Sequence, residues 1–247
     1  MAPPAPASPS STSGAPRATR GSGSGWRCAP TAWSPRPTGA AGIGCLLLAA
    51  GTACDRGTWT EAAVEAGEAL SAAALVDGDA AWWPRWSGQT LPLVHWCNGS
   101  AGVGAFLIRL WQATGTPRYR DLAEMAAVAV HRSRLGQPAS HCHGLAGHGE
   151  LLLDLAAATG EHRYHVLAED VAVALMLQSS VRDGRLVLPV NARGEVAAGY
   201  GVGMAGVLGF LLRLRDGGPR WWLEEPSAPA PRAATVAATV AANSERR

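Results

Sequence analysis

A glycine-rich turn followed by an apolar run recurs along this chain, and it constrains the fold more than any other feature. The first copy reads Gly39-Ala40-Ala41-Gly42-Ile43-Gly44, and others begin at Gly99, at Gly144 and, less regularly, at Gly203. The successive steps are 60, 45 and 59 residues. The runs that follow are Cys45 to Ala50, Ala105 to Leu110, Leu151 to Leu155 and Phe210 to Leu214. Self-similarity at such spacing is the mark of a repeat architecture, in which each unit buries its apolar face against the next.

A second signature travels with the first. Thr114-Gly115-Thr116-Pro117-Arg118-Tyr119 precedes Leu122-Ala123-Glu124 and Ala127-Val128-Ala129, and Thr159-Gly160-Glu161-His162-Arg163-Tyr164 precedes Leu167-Ala168-Glu169 and Ala172-Val173-Ala174. Every matched position is offset by 45, the same as the glycine offset. Each unit therefore reads as helix, Thr-Gly turn, helix. The first helix is almost all apolar or small and belongs in the interior, whereas the second interleaves charge with Ala, Leu and Val as a half-exposed helix does. Alternating buried and half-exposed helices predict an all-α fold, either a two-layer α/α ring or an α-solenoid.

The ends of the chain differ in character. Residues 1–38 are rich in Pro, Ser, Ala, Gly and Arg with no apolar period, so a disordered segment is expected there. The change at Gly39 is also what a misassigned start or an out-of-frame stretch joined to a domain gives. Residues 39–223 hold the helical domain, and 224–247 form a Pro-containing, then Ala/Thr/Val-rich tail, disordered or weakly helical.

Composition excludes several partners. Basic and acidic residues number 21 and 19, a net charge of +2 that gives no footing for nucleic acid or an anionic membrane. No apolar run approaches the ~18 residues of a membrane span. Arg17 and Arg20 are followed by no apolar stretch of the secretory kind. Five widely spaced cysteines (28, 45, 54, 97 and 142) fit reduced thiols in a cytoplasmic protein better than a disulfide framework.

Two of those cysteines lie on equivalent turns. The stretches are Trp96-Cys97-Asn98-Gly99-Ser100-Ala101-Gly102 and His141-Cys142-His143-Gly144-Leu145-Ala146-Gly147. In a ring or solenoid the loops entering the buried helices share one end, so Cys97, Cys142 and His143 converge there. Two thiolates and an imidazole are zinc ligands, and three protein ligands leave the fourth, catalytic place open. Helix N-termini favour the thiolate form. His141, His95 and His148 are near enough to act as supporting groups or proton donors, although each also reads as an ordinary polar residue. Cys45 and Cys54 read as small buried hydrophobes, and His131, His162 and His165 as solvated residues of the outer helices.

These motifs resemble the lanthionine synthetase C-like family of cyclases. The resemblance runs from about Gly39 to Trp222, and Ser140-His141-Cys142-His143-Gly144-Leu145-Ala146-Gly147 looks most like the cyclase domains of large multidomain lanthipeptide synthetases. It implies an α/α toroid with Zn2+ held by Cys97, Cys142 and His143. It also implies a dehydrated precursor peptide as substrate, whose cysteine adds to dehydroalanine or dehydrobutyrine to close a thioether ring. Separate kinase- and lyase-type proteins are the expected source of the dehydrated residues. The family's usual catalytic His position is occupied here by Thr38, which leaves His141 and His95 as acid candidates. The family's ring needs more helix pairs than four glycine turns supply, so an incomplete, C-terminal portion of the toroid is expected. Two other readings stand beside this one. One is a non-catalytic, zinc-stabilised scaffold that binds peptides. The other is a toroid glycoside hydrolase, for which Glu150 and Glu195 are the available carboxylates.

Overall fold

The computed structural model describes residues 37–85, 91–189 and 194–220, all within one compact unit. Of the expected disordered segment, 1–38, residues 1–36 lie outside the described residues, and Pro37 and Thr38 belong to a helix; the tail 224–247 lies outside the described residues. Among the described residues are seven helices and two small hairpins. The helices are α1 (Pro37–Ala53), α2 (Gly57–Ala72), α3 (Ser100–Thr114), α4 (Pro117–Arg132), α5 (Leu145–Thr159), α6 (His162–Met176) and α7 (Met204–Asp216). Helices α1, α3, α5 and α7 pack in series as an inner row, and α2, α4 and α6 lie against the inner helix that each follows. The fold is all-α, as the repeat predicts.

The inner helices are shaped by the glycine turns. In α3 every residue from Ser100 to Leu110 is buried except Arg109, and in α5 the whole of Leu145 to Leu155 is buried. Glycines five residues after the turn let the rows approach. A Cβ at Gly44 would strike the ring of Phe106, one at Gly104 would crowd Leu151, and one at Gly149 would strike the ring of Phe210. One helix thus offers a hole, and the next inserts a knob into it.

The Thr-Gly turns repeat atom for atom. Gly115 and Gly160 adopt the left-handed conformation (φ 71° and 72°) and end α3 and α5, their N–H groups donating to the carbonyls of Trp111 and Ala156. Thr114 Oγ1 donates to Leu110 O and accepts from Thr116 N, and Thr159 Oγ1 does the same between Leu155 O and Glu161 N.

The structure adds two features to the sequence reading. Antiparallel hairpins follow α2 and α6: β1 (Leu75–Asp77) with β2 (Ala80–Trp82), and β3 (Ser180–Arg182) with β4 (Arg185–Val187). The first seals the core, since Ala80, Ala81 and Trp83 are buried and Trp83 Nε1 donates to Leu70 O. Secondly, the Gly39 turn does not precede its helix. Pro37, with the fixed helical φ of a proline, starts α1 two residues earlier, and Gly39 bends within its first turn at φ +89°.

Candidate metal centre

The loops entering α3, α5 and α7 close in one way. No cap side chain serves these helices. Instead the first two N–H groups of each helix are taken by carbonyls of its own entry loop. Ser100 and Ala101 donate to Leu93 and Val94, Leu145 and Ala146 to Pro138 and Ala139, and Met204 and Ala205 to Ala197 and Ala198. The helix starts are satisfied without a competing side chain. A side chain at Gly102, Gly147 or Gly206 would meet the carbonyl of Trp96, His141 or Tyr200, so the loop lies directly on the first turn.

Adjacent loops are also tied to each other. Cys142 N donates to Gly201 O (2.7 Å), and Cys142 O accepts from Trp96 N (3.0 Å) and Cys97 N (3.4 Å). Above these bonds, the residues three before each cap glycine form a column of rings. His141 lies 5.2 Å from Trp96 and 4.9 Å from Tyr200 between ring centroids.

The next two positions carry the sulfur and nitrogen donors. Cys97, Cys142 and His143 bring one donor atom each within 4.8 Å of the others, and Cys142 Sγ is 4.0 Å from a His143 ring nitrogen. Donors on a tetrahedral zinc stand about 3.5–3.8 Å apart, so a small contraction seats the ion. In the third loop the residue equivalent to these cysteines is Gly201, which brings no donor and leaves room on that side. Asn98 Nδ2 donates to Cys97 Sγ (3.1 Å), and the His95 ring meets the His143 ring edge-on at 5.2 Å. The group is partly open to solvent, with all three donors of intermediate burial.

Electrostatics fit a cation. Burial, then the neighbouring Cys97, pushes the Cys142 thiol up to about 11. A metal ion held by Cys97, Cys142 and His143 would offset that cost, because thiolates that ligate a metal are deprotonated. Burial also lowers the imidazoles around the site. His141, further disfavoured as a cation by Arg220, falls to about 3, and fully buried His148 falls to about 3. His95 is lowered by burial and by His143. His141 thus stands as a ring of the aromatic column, where burial disfavours its charged form. Cys45 is partly buried and its thiol is raised, whereas Cys54 lies exposed past the end of α1 and is no core residue. Thr38 falls in the first turn of α1, and its side chain lies outside the described residues.

A buried ionic ladder lies farther along the inner helices, and sequence reading missed it. Arg109, Asp154 and Arg213 lie ten residues after their cap glycines, one on each of three neighbouring inner helices. Asp154 accepts from Arg109 (3.1 Å), Arg213 (2.8 Å) and, side-on, from Nε and Nη2 of Arg220 (3.1 and 2.8 Å). Burial opposes its charge, yet Arg220, Arg109 and Arg213 together hold the carboxyl well below the usual range. Glu150 is buried and pairs with Arg213 at 2.5 Å, whereas Glu195 is exposed. Arg220 stacks 4.2 Å from the Trp96 ring, linking the ladder to the loop that carries Cys97. The charge at equivalent inner positions was the signal available in the sequence.

The sequence profile of the lanthionine synthetase C-like protein family matches residues 38–224. The chain belongs to that family. No curated protein matches it. Among the described residues, no helix is long and apolar enough to cross a membrane.

Proposed function

We propose that the chain is a zinc-dependent, lanthipeptide cyclase-like protein that forms thioether rings in a dehydrated precursor peptide. Cys97, Cys142 and His143 are the residues that hold the ion. The observation that carries this reading is their convergence, within 4.8 Å, on two loops tied through Cys142 O. Bound zinc supplies a Lewis acid that favours the thiolate of a substrate cysteine near neutral pH.

The chain's own groups do the rest. Asn98 holds Cys97 Sγ through its hydrogen bond, and the edge contact of His95 orients His143. Gly201 leaves the side of the site facing the third loop free of a side chain. The substrate sulfur adds to the β-carbon of a dehydroalanine or dehydrobutyrine, and the π electrons pass to the α-carbon and its carbonyl. One proton delivered to the α-carbon then completes the addition. His95, half-buried beside the donors, is the proposed proton-transfer residue. His141, wedged between Trp96 and Tyr200, positions the Cys142 loop. The dehydrated residues come from separate kinase- and lyase-type activities. The cytoplasm, where thiols stay reduced, is the proposed location.

The second reading is a non-catalytic, zinc-stabilised scaffold that binds peptides. It is favoured by Thr38 at the family's histidine position, since a hydroxyl is no acid near neutral pH. Incubating zinc-loaded protein with a dehydrated, cysteine-containing peptide separates the two. Cyclase activity consumes the free thiol at unchanged peptide mass, and Cys97→Ala abolishes this. Peptide binding with no thiol consumption supports the scaffold.

A further inference from the structure

We propose that Cys97 and Cys142 are a reversible disulfide site, closed by a hydroperoxide, and that closing it takes both sulfurs away from the metal ion. The release of metal rests on the zinc reading; the sulfur pairing does not.

The pairing starts from the backbone. Cys97 N and Trp96 N both donate to Cys142 O (3.4 and 3.0 Å). Segments joined by N–H···O=C bonds stand about 5 Å apart, and a disulfide asks for Cα atoms about 4.4–6.8 Å apart. The two sulfurs already converge to within 4.8 Å, so rotation about the Cα–Cβ bonds brings them toward bonding distance. Cys45 lies within α1 and Cys54 just past its end. Nine residues of helix separate those two thiols by about 13 Å, beyond the reach of a bridge between them.

The fold tolerates the bond. The entry loops of α3 and α5 close onto their helices through the carbonyls of Leu93, Val94, Pro138 and Ala139, and no cysteine side chain takes part. A covalent link between loops that are already hydrogen-bonded to each other leaves the helices in place. The metal site does not survive it. Both sulfurs lose the thiolate form that ligates zinc, and His143 remains as one donor where a zinc ion takes four.

One hydroperoxide closes one bridge. Asn98 Nδ2 donates to Cys97 Sγ (3.1 Å), which supports charge on that sulfur as it attacks a peroxide oxygen. The O–O bond breaks, water or an alcohol leaves, and Cys97 becomes a sulfenic acid. Cys142 Sγ then attacks Cys97 Sγ, and the sulfenic hydroxyl leaves as water with the thiol proton. The two thiols have lost two electrons and the peroxide has gained them. A dithiol reductant reverses the bridge by thiol–disulfide exchange.

The experiment treats the full chain, zinc-loaded and metal-free, with an equimolar amount of hydrogen peroxide. Non-reducing peptide mass mapping, a zinc indicator and circular dichroism follow the outcome. The expected result is a Cys97–Cys142 cross-link, about one zinc released per cross-link, unchanged helicity, and zinc uptake regained after dithiothreitol. Cys142→Ser should stop at a sulfenic acid on Cys97 that dimedone captures. Metal shields the sulfurs, so the metal-free protein should cross-link faster. A chain that cross-links but never takes up zinc would contradict the metal reading and leave the pairing standing. Wild-type oxidation that runs to sulfinic acid without a bridge, cross-links that join these cysteines only to other thiols, or zinc that stays bound after bridging would each overturn the proposal.

Discussion

Asp154 carries more of this molecule's electrostatics than any other residue described. Three arginines from α3, α7 and the segment after α7 converge on its carboxylate inside the core. Removing one partner of a buried ionic network costs about 3–5 kcal/mol, since the remaining charges lose their compensation. Asp154→Ala is thus expected to lower stability by that order in urea unfolding. Because Arg220 rests on Trp96, the same change should also weaken zinc binding. The buried imidazoles give a pH signature. His148 and His141 are pushed from 6.5 to about 3, so the unfolded chain takes up the protons first. Stability from these groups is complete above pH 6.5 and is lost as pH falls toward 3, at up to about 1.4 kcal/mol per pH unit for each. His148→Leu should flatten part of that decline in denaturation midpoints between pH 7 and pH 4. A midpoint in the wild type that does not fall over this range would contradict the burial of both rings. The donor triad was legible from the sequence because its residue types and 45-residue register are rare together. The ladder was not, since Arg109, Asp154 and Arg213 look like ordinary polar interruptions until their shared position after each cap glycine is noticed.

At the scale of elements, the glycines are the organising parts. Gly149 is the hole for Phe210, and a methyl group there must displace an aromatic ring. Gly149→Ala is expected to cost about 1–3 kcal/mol by overpacking. Gly57, at the start of α2, has open space around it, and Gly57→Ala should stabilise by up to about 1 kcal/mol. Thermal unfolding of the two variants beside the wild type checks the pair, and equal shifts would show that knob and hole are not the packing rule. The helices were readable because the repeat doubles every signal. The hairpins were not, as three-residue strands are too short to show alternation, although Asp183-Gly184 between β3 and β4 is a two-residue turn of the kind that joins strands. The start of α1 also departed from expectation, because Pro37 governs locally where the repeat pattern pointed to Gly39. His141 reads as an acid candidate in the sequence for a related reason, its neighbours in space being invisible there. Trp96, His141 and Tyr200 share one place in three loops, and that register marks a structural column.

For the whole molecule, three inner-helix entry loops meet at one end and are tied through Cys142 N and Cys142 O. A ligand that binds only the folded state stabilises it by mass action, about 4 kcal/mol at a thousandfold excess over Kd. Chelation should therefore lower the unfolding temperature of zinc-loaded protein, and His143→Ala should remove most of that response. Everything proposed about chemistry at this end depends on Cys97, Cys142 and His143 together holding a metal ion. The decisive experiment is metal analysis of the purified chain beside Cys97→Ala, Cys142→Ala and His143→Ala. The expected result is about one zinc per chain in the wild type and a substantial loss in each variant whose helical content is preserved. A wild-type protein without stoichiometric zinc, or one whose zinc survives Cys142→Ala, would contradict it.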